Sequence, residues 1–336
     1  MLQELGTIVK FFNVFLRKKN PTDWPTYLKL MALWAPFVDA IAKASSMPLI
    51  GRALTPMMRK GVMDYTWIPI NKRLEVPESK VLPLDVLKEL VAKSAHRVIA
   101  RQCPCRQGFA CEHYPKDLGC IYLGEATKDF DPALAIHATV DEALAHIDKA
   151  VGVGLVPDVG QIDFDADLFG VKPKSHFATI CFCCDCCCAP RRHSTTFCQE
   201  YRDRQFKLEG VSVKVKTADC TGCGICKDRC FMGAISIEDK KAAIDETKCR
   251  GCGVCVEQCP KDAIKIEVTD GERMRKAFFE RIESRVDLYS SIPGKEVNKK
   301  PRARIPHPRH GLKIPKYKHS REPQKEDKKA ERAGSN

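Results

Sequence analysis

The chain reads CTGCGICKDRC over residues 220–230 and CRGCGVCVEQCP over residues 249–260. Each half is C-x2-C-x2-C-x3-C, the run that wraps a short loop around one 4Fe–4S cube. The halves repeat at an offset of 29, so that Cys220, Cys223, Cys226 and Cys230 map onto Cys249, Cys252, Cys255 and Cys259. Gly222 and Gly224 map onto Gly251 and Gly253, and Ala234-Ile235 onto Ala263-Ile264. Three closely spaced cysteines present thiolates to three irons. The fourth iron needs a ligand from farther away, and in this pattern the last cysteine of each run serves the other cube. The expected sets are Cys220, Cys223, Cys226 and Cys259, and Cys249, Cys252, Cys255 and Cys230. The glycines let the backbone pass near the sulfurs, where N–H groups bond to sulfur and tune the potential.

On these motifs residues 211–268 resemble a bacterial-type ferredoxin domain with two 4Fe–4S clusters. The resemblance implies a small pseudo-twofold α+β module that carries single electrons at low potential. Val211, Val213 and Val215 alternate with Ser212 and Lys214, a strand signal, and Ile235/Ile237 and Ile264/Ile266 repeat it after each cysteine run. One departure is Phe231 after Cys230, where Pro260 follows Cys259.

Outward from this module, 336 residues allow two or three domains. The expected class is α+β: a helical N-terminal segment (1–75), a small cysteine-rich α/β domain (76–205), the two-cluster module (206–268), a C-terminal helix (269–293) and a disordered basic tail (294–336). No signal peptide and no apolar run long enough to span a bilayer are expected. Cluster-type cysteines then point to a reducing cytoplasm rather than to disulfides. The net charge is +13, but the stretch from Gly294 to Asn336 holds 14 Lys/Arg and 5 Asp/Glu, leaving only +4 for the rest. That tail also holds five prolines, so its composition reads as disordered, and it is basic enough to meet an acidic partner or anionic lipid. No nucleic-acid-binding motif accompanies it, so no nucleic acid is expected.

Residues 76–205 carry ten of the eleven remaining cysteines in two bursts. An apolar strand, Val98-Ile99-Ala100, leads into Cys103 and Cys105, followed by Cys111 and Cys120. A second, Phe177 to Ile180, leads into Cys181, Cys183, Cys184, Cys186, Cys187 and Cys188; Cys198 trails. Two strands each ending in cysteines predict one composite site at the end of a small sheet. The candidate metal ligands are Cys103, Cys105, Cys111, Cys120, Cys183, Cys184, Cys186, Cys187 and Cys188. Buried thiols acting as small hydrophobes are the plainer reading, but it suits Cys181 or Cys198 singly better than ten together. The metal is either a third iron–sulfur cluster, favoured by the neighbouring module, or zinc on Cys103, Cys105, Cys111 and Cys120. Adjacent cysteines on a strand face opposite sides. Either the backbone turns within 183–188, or some of these thiols are not ligands.

His113 and His193 beside the bursts are candidate ligands; His96, His137, His146 and His176 are read as packing or surface residues. Arg101, Arg106, Arg191 and Arg192 either offset thiolate charge or form a solvated face. Thr139 and Glu142 form a capping-box signature, with Leu144, Ile147 and Val151 continuing a helix that Gly152-Val153-Gly154 ends. Leu84, Leu87, Leu90 and Val91 mark a second helix, and Met274, Phe278, Ile282 and Val286 a third. Gly152-Val153-Gly154 lacks what a nucleotide loop needs. In the first 75 residues Leu5, Ile8, Val9, Phe12, Phe15 and Leu16 fall at helical spacing, and Tyr27 to Ile41 forms a second apolar stretch. These helices pack on the body or a partner, or lie on a membrane surface as a peripheral contact. Tyr65 to Ile70 reads as a strand or extended linker.

The paired cysteines resemble the cysteine-rich domain of heterodisulfide-reductase-type subunits, without that family's long spacing between cysteine groups, so no catalytic role carries over. The whole chain resembles uncharacterised cysteine-rich ferredoxin-domain proteins of anaerobic prokaryotes, which brings no substrate. The reading is an iron–sulfur electron-transfer protein, passing single electrons through two 4Fe–4S clusters to or from a further metal centre in residues 76–205 and on to a redox protein partner. Two alternatives stand beside it: an oxidoreductase subunit with a substrate-reducing centre in residues 76–205, its catalytic residues unassigned, and a zinc-stabilised docking module.

Overall fold

A computed structural model describes residue 6 and residues 24–54, 63–70, 74–75 and 81–297. The periodic stretch from Leu5 to Leu16 and nearly all of the basic tail lie outside the described residues.

The cysteine-rich region is built on a seven-stranded sheet. Its strands are β1 (Tyr65–Trp67), β3 (Arg97–Ala100), β4 (Ile121–Leu123), β5 (Ala135–His137), β6 (Val156–Gly160), β7 (Ala178–Cys183) and β8 (Gln205–Lys207). Their order is β5-β3-β4-β7-β6-β1-β8. All neighbours are antiparallel except β1 and β8. Because β4 lies antiparallel between them, β3 and β7 run the same way and their C-terminal ends emerge at one end of the sheet. The expected composite arrangement of the two bursts follows from this register.

The helices follow their sequence signals. Helix α3 (Pro83–Lys93) buries Leu87, Leu90 and Val91. Helix α5 (Val140–Gly152) starts on a capping box in which Thr139 accepts from the Glu142 N–H at 3.2 Å and Glu142 accepts from the Thr139 N–H at 2.8 Å. Helix α11 (Gly271–Glu283) is capped by Asp270, which accepts from the Arg273 N–H at 2.9 Å. It buries Met274, Phe278 and Ile282.

Helix α1 (Trp24–Ser45) packs on α4 (Pro104–Gly108), the turn that carries Cys105. From Ala35 to Ser45 only Lys43 is exposed. A helix buried nearly all round is a core helix, so this half lies within the body and presents no membrane-facing stripe.

The ferredoxin-type region holds β9 (Val211–Val215) and β12 (Ile264–Val268) as an antiparallel pair, and the hairpin β10 (Ile235–Glu238) and β11 (Lys241–Ile244). The hairpin turns on two residues, Asp239 and Lys240, with φ +48° and +59°, the left-handed pair of a type I′ turn.

Residues 65–75, read from sequence with the N-terminal segment, link the two regions. Strand β1 joins the seven-stranded sheet, and β2 (Leu74–Glu75) pairs in parallel with β12. One apolar core runs from Leu87 and Ile121 through Trp67 to Val213 and Ile266. A second core fills the other side of the sheet, where Tyr122 stacks on Phe130 at 4.9 Å and Phe130 meets Phe169 at 4.8 Å.

Candidate metal centres

The two halves of the ferredoxin-type module match in backbone and in sulfur bonding. Gly222 and Gly251 have φ +69° and +63°, and Gly224 and Gly253 both have +83°. The Ala234 N–H donates to Cys230 Sγ at 3.3 Å, and its counterpart Ala263 donates to Cys259 Sγ at 3.3 Å. Gly251 donates to Cys249 Sγ at 3.4 Å, and Gly222 makes the equivalent bond to Cys220. Four matching N–H···S bonds at the repeat offset are what a thiolate-bound cluster requires of its surroundings.

Cys220, Cys223, Cys226 and Cys259 line one hollow together with Gly222, Gly224 and Pro260. Cys255 lies among Cys252, Cys249, Cys230 and also Cys226 of the first group: burial raises its pKa first, then the charges of these four. The first group holds three cysteines of one run and the last of the other, and Cys230 of the first run stands near the three of the second. The sets differ in surroundings. Backbone N–H groups lower the Cys220 pKa, whereas burial raises that of its counterpart Cys249 and pushes Cys252 up to about 11. Cys223 is exposed.

The second set faces the cysteine-rich region. Phe231 is buried and lies 4.7 Å from the Trp67 ring, centroid to centroid. The Arg191 guanidinium stands over the Phe231 ring at 5.2 Å and donates to the Cys183 carbonyl at 3.1 Å. Its charge also acts on Cys252. Arg229 pairs with Asp185 at 2.9 Å. The departure from proline at 231 thus has a packing reason: this end of the module inserts an aromatic ring into the neighbouring core, while Pro260 is exposed.

In the cysteine-rich region the ten thiols separate into two groups. Strand β7 ends at Cys183, and the chain turns through 185–187. That turn lets Cys184, Cys186 and Cys187 converge with Cys111, all four Sγ atoms lying within 4.8 Å of one another. Cys103, Cys105 and Cys120 do not belong to this set. The quartet read as a zinc set, Cys103, Cys105, Cys111 and Cys120, is therefore not brought together, because α4 and the loop after it send Cys111 toward the second burst.

The other six thiols touch in series. Cys105 bonds to Cys103, Cys103 to Cys120, and Cys120 lies 3.8 Å from Cys181. Cys181 contacts Cys183, and Cys188 Sγ lies 2.7 Å from Cys183 Sγ. Cys188 in turn acts on Cys105. Cys181 was missing from the sequence-derived ligands. Its signal was present: Cys181 and Cys183 sit two apart on one strand and share a face.

Arg106 is 1% exposed and donates to the carbonyls of Pro115 at 2.8 Å, Phe182 at 2.7 Å and Leu118. Burial works against its charge, yet Cys103, Cys184, Cys120 and Cys183 around it raise its pKa. Arg191 and Arg192 are also buried. The solvated-face reading fails for these three, which place positive charge among thiols. His113 is exposed. His193 is buried 2.6 Å from Asp39 of α1, and neither histidine belongs to the four-donor set. His146 bonds to the Gly119 carbonyl at 2.8 Å and His176 to that of Asp287 at 2.9 Å, both packing roles. Asp158, 0% exposed, accepts from Cys183 Sγ at 3.0 Å.

No described helix is long and apolar enough to cross a membrane. No curated protein matches the chain. Residues 219–263 match the 4Fe-4S dicluster domain family, which supports a ferredoxin-type iron–sulfur domain over that part of the chain.

Proposed function

We propose that this chain is an iron–sulfur electron-transfer protein in which two 4Fe–4S clusters, held by the cross-paired cysteine sets, communicate with a further redox metal centre in the cysteine-rich region. The observation that carries it is the packing of the second set's end of the module against that region, where Arg191 stands over Phe231 and donates to the Cys183 carbonyl. Each bound cluster supplies a one-electron couple that needs no proton.

The chain's own residues set the terms. Ala234, Ala263, Gly222 and Gly251 donate N–H bonds to ligand sulfurs and stabilise the charge there. Burial differs between the sets, so their potentials differ. Phe231 and Trp67 exclude water between the second set and the sheet. The exposed Cys223 puts the first set where a redox protein partner reaches it. The row Cys103, Cys105, Cys120, Cys181, Cys183 and Cys188 would hold the further centre, with Arg106 as its buried counter-charge. So many free thiols suit a reducing cytoplasm.

The test is iron and sulfide content on anaerobically purified protein, with low-temperature EPR after reduction. Two four-iron clusters account for about eight irons per chain. We expect iron above that level, and a signal that survives in the Cys226→Ser/Cys255→Ser double variant. Iron that stops at the ferredoxin complement and disappears with it would remove the further centre. Protein without iron would remove the whole reading.

A further inference from the structure

The tight group of four thiols is built differently from the two ferredoxin-type sets. Four thiolates on one zinc, each about 2.3 Å from the metal, must stand about 3.8 Å apart at the corners of a tetrahedron. Four thiolates on a cube bind four different irons at its outer corners and stand much farther apart. Cys111 Sγ lies 3.6 Å from Cys186 Sγ, and all six separations within the group fall under 4.8 Å. The molecule carries its own comparison. Among the described residues, neither cross-paired ferredoxin set contracts to such a spacing.

We infer that Cys111, Cys184, Cys186 and Cys187 hold a single zinc ion, separate from any iron–sulfur cluster. Four protein sulfurs complete the tetrahedron and leave no open position, the mark of a structural site. Cys111, Cys184 and Cys187 are buried. The Cys187 N–H donates to Cys184 Sγ at 3.3 Å, the outer bond that orients a ligating sulfur. Four thiolates exceed the charge of a divalent ion. The buried Arg106 beside Cys184 offsets that excess, as does Arg192, whose Nη1 donates to the Cys186 carbonyl at 3.3 Å. The ion clips the loop after α4 to the turn after β7, segments 75 residues apart in the chain. It thereby holds the mouths of both bursts in register for the six remaining thiols. Those six touch in series and form no such tight group, and they are left for chemistry of a different kind.

This assignment goes beyond the electron-transfer reading and fails separately from it, because it is read at the zinc edge and not from iron. The experiment is metal content and zinc K-edge X-ray absorption on the full-length protein, purified anaerobically. We expect about one zinc per chain, ringed by four sulfurs at about 2.3 Å. Cys186→Ser, at the least buried of the four, should lose that zinc while the EPR signals of the ferredoxin-type clusters remain. Zinc bound through nitrogen or oxygen would overturn the assignment, as would zinc that survives the substitution. So would a wild-type protein without zinc, whether the site then holds a lone tetrathiolate iron or part of a cluster. If Cys186→Ser fails to fold, the wild-type absorption spectrum alone still decides between one zinc with four sulfurs and the other outcomes.

Discussion

Gly222 shows how tightly the ligand loops are drawn. Its φ is +69°, and a Cβ there would run into the carbonyl of Lys240. An alanine would meet both the left-handed penalty, about 1–2 kcal/mol, and a backbone clash that no rotamer relieves. Gly222→Ala is therefore expected to lower bound iron by loss of the first cluster while signals of the second persist. Gly154→Ala is the matched control. Gly154 has φ +86° with open space around it, so its cost should stay near the backbone penalty and bound iron should not change. Iron and sulfide analysis of the two variants checks the pair, and equal iron loss in both would refute the argument. At this level the cysteines proposed to hold the two clusters were legible because their spacing is local and repeated. Phe231 was visible only as a departure from proline. Its partner, Trp67, lies 164 positions away in the chain, so no local pattern could have named it.

Helices α3 and α11 show a different division. Both were read from apolar spacing, since a buried stripe is written into one stretch of chain. Their docking was not. Arg275 donates to Glu89 at 2.6 Å, and Lys93 also meets that carboxylate. The Arg275 bond, ahead of Lys93, lowers the Glu89 pKa to about 2. A carboxylate held below its ordinary value of 4.5 contributes stability that is fully present above that value. The contribution is lost as pH falls toward about 2. Arg275→Ala should therefore lower stability slightly near neutrality, and its profile should converge on that of wild type as pH falls between these limits. Thermal unfolding of wild type and variant across that window checks it, and parallel profiles would refute it. The pair is partly exposed, so solvent screens it and the effect should be small. Helix α1 makes the opposite point. Its apolar stretch suited a membrane surface as well as a core, and only the packing of Phe37, Val38 and Ile41 within the body distinguishes them.

For the molecule as a whole, sheets and core join segments that lie far apart in the chain. Residues 65–67 lend a strand to the seven-stranded sheet and residues 74–75 one to the three-stranded sheet, and one core serves both regions. The first residues of the stretch read as tail are tied to the body. Lys295 pairs with Asp129 at 2.6 Å and donates to the Lys172 carbonyl at 2.7 Å. A chain ending at Val297 should keep its iron, zinc and melting temperature. A chain ending at Pro293 should keep its metals but melt lower, since it loses the Lys295 contacts. Metal content and thermal unfolding of the two truncations check this, and iron loss from the longer one would show that the segment beyond it supports the clusters.

The sequence alone determined the paired cysteine runs, the glycines beside them, the capped helices and the two strands that end in cysteines. Each of these is written over a few neighbouring residues, where spacing translates directly into geometry. The tertiary structure alone decided how the ten thiols of the two bursts divide, why Phe231 replaces proline, and that Arg106, Arg191 and Arg192 are buried among sulfurs. Those outcomes depend on which segments meet. The antiparallel placement of β4 between β3 and β7 brings residues dozens of positions apart to one end of a sheet, and no local pattern encodes that meeting.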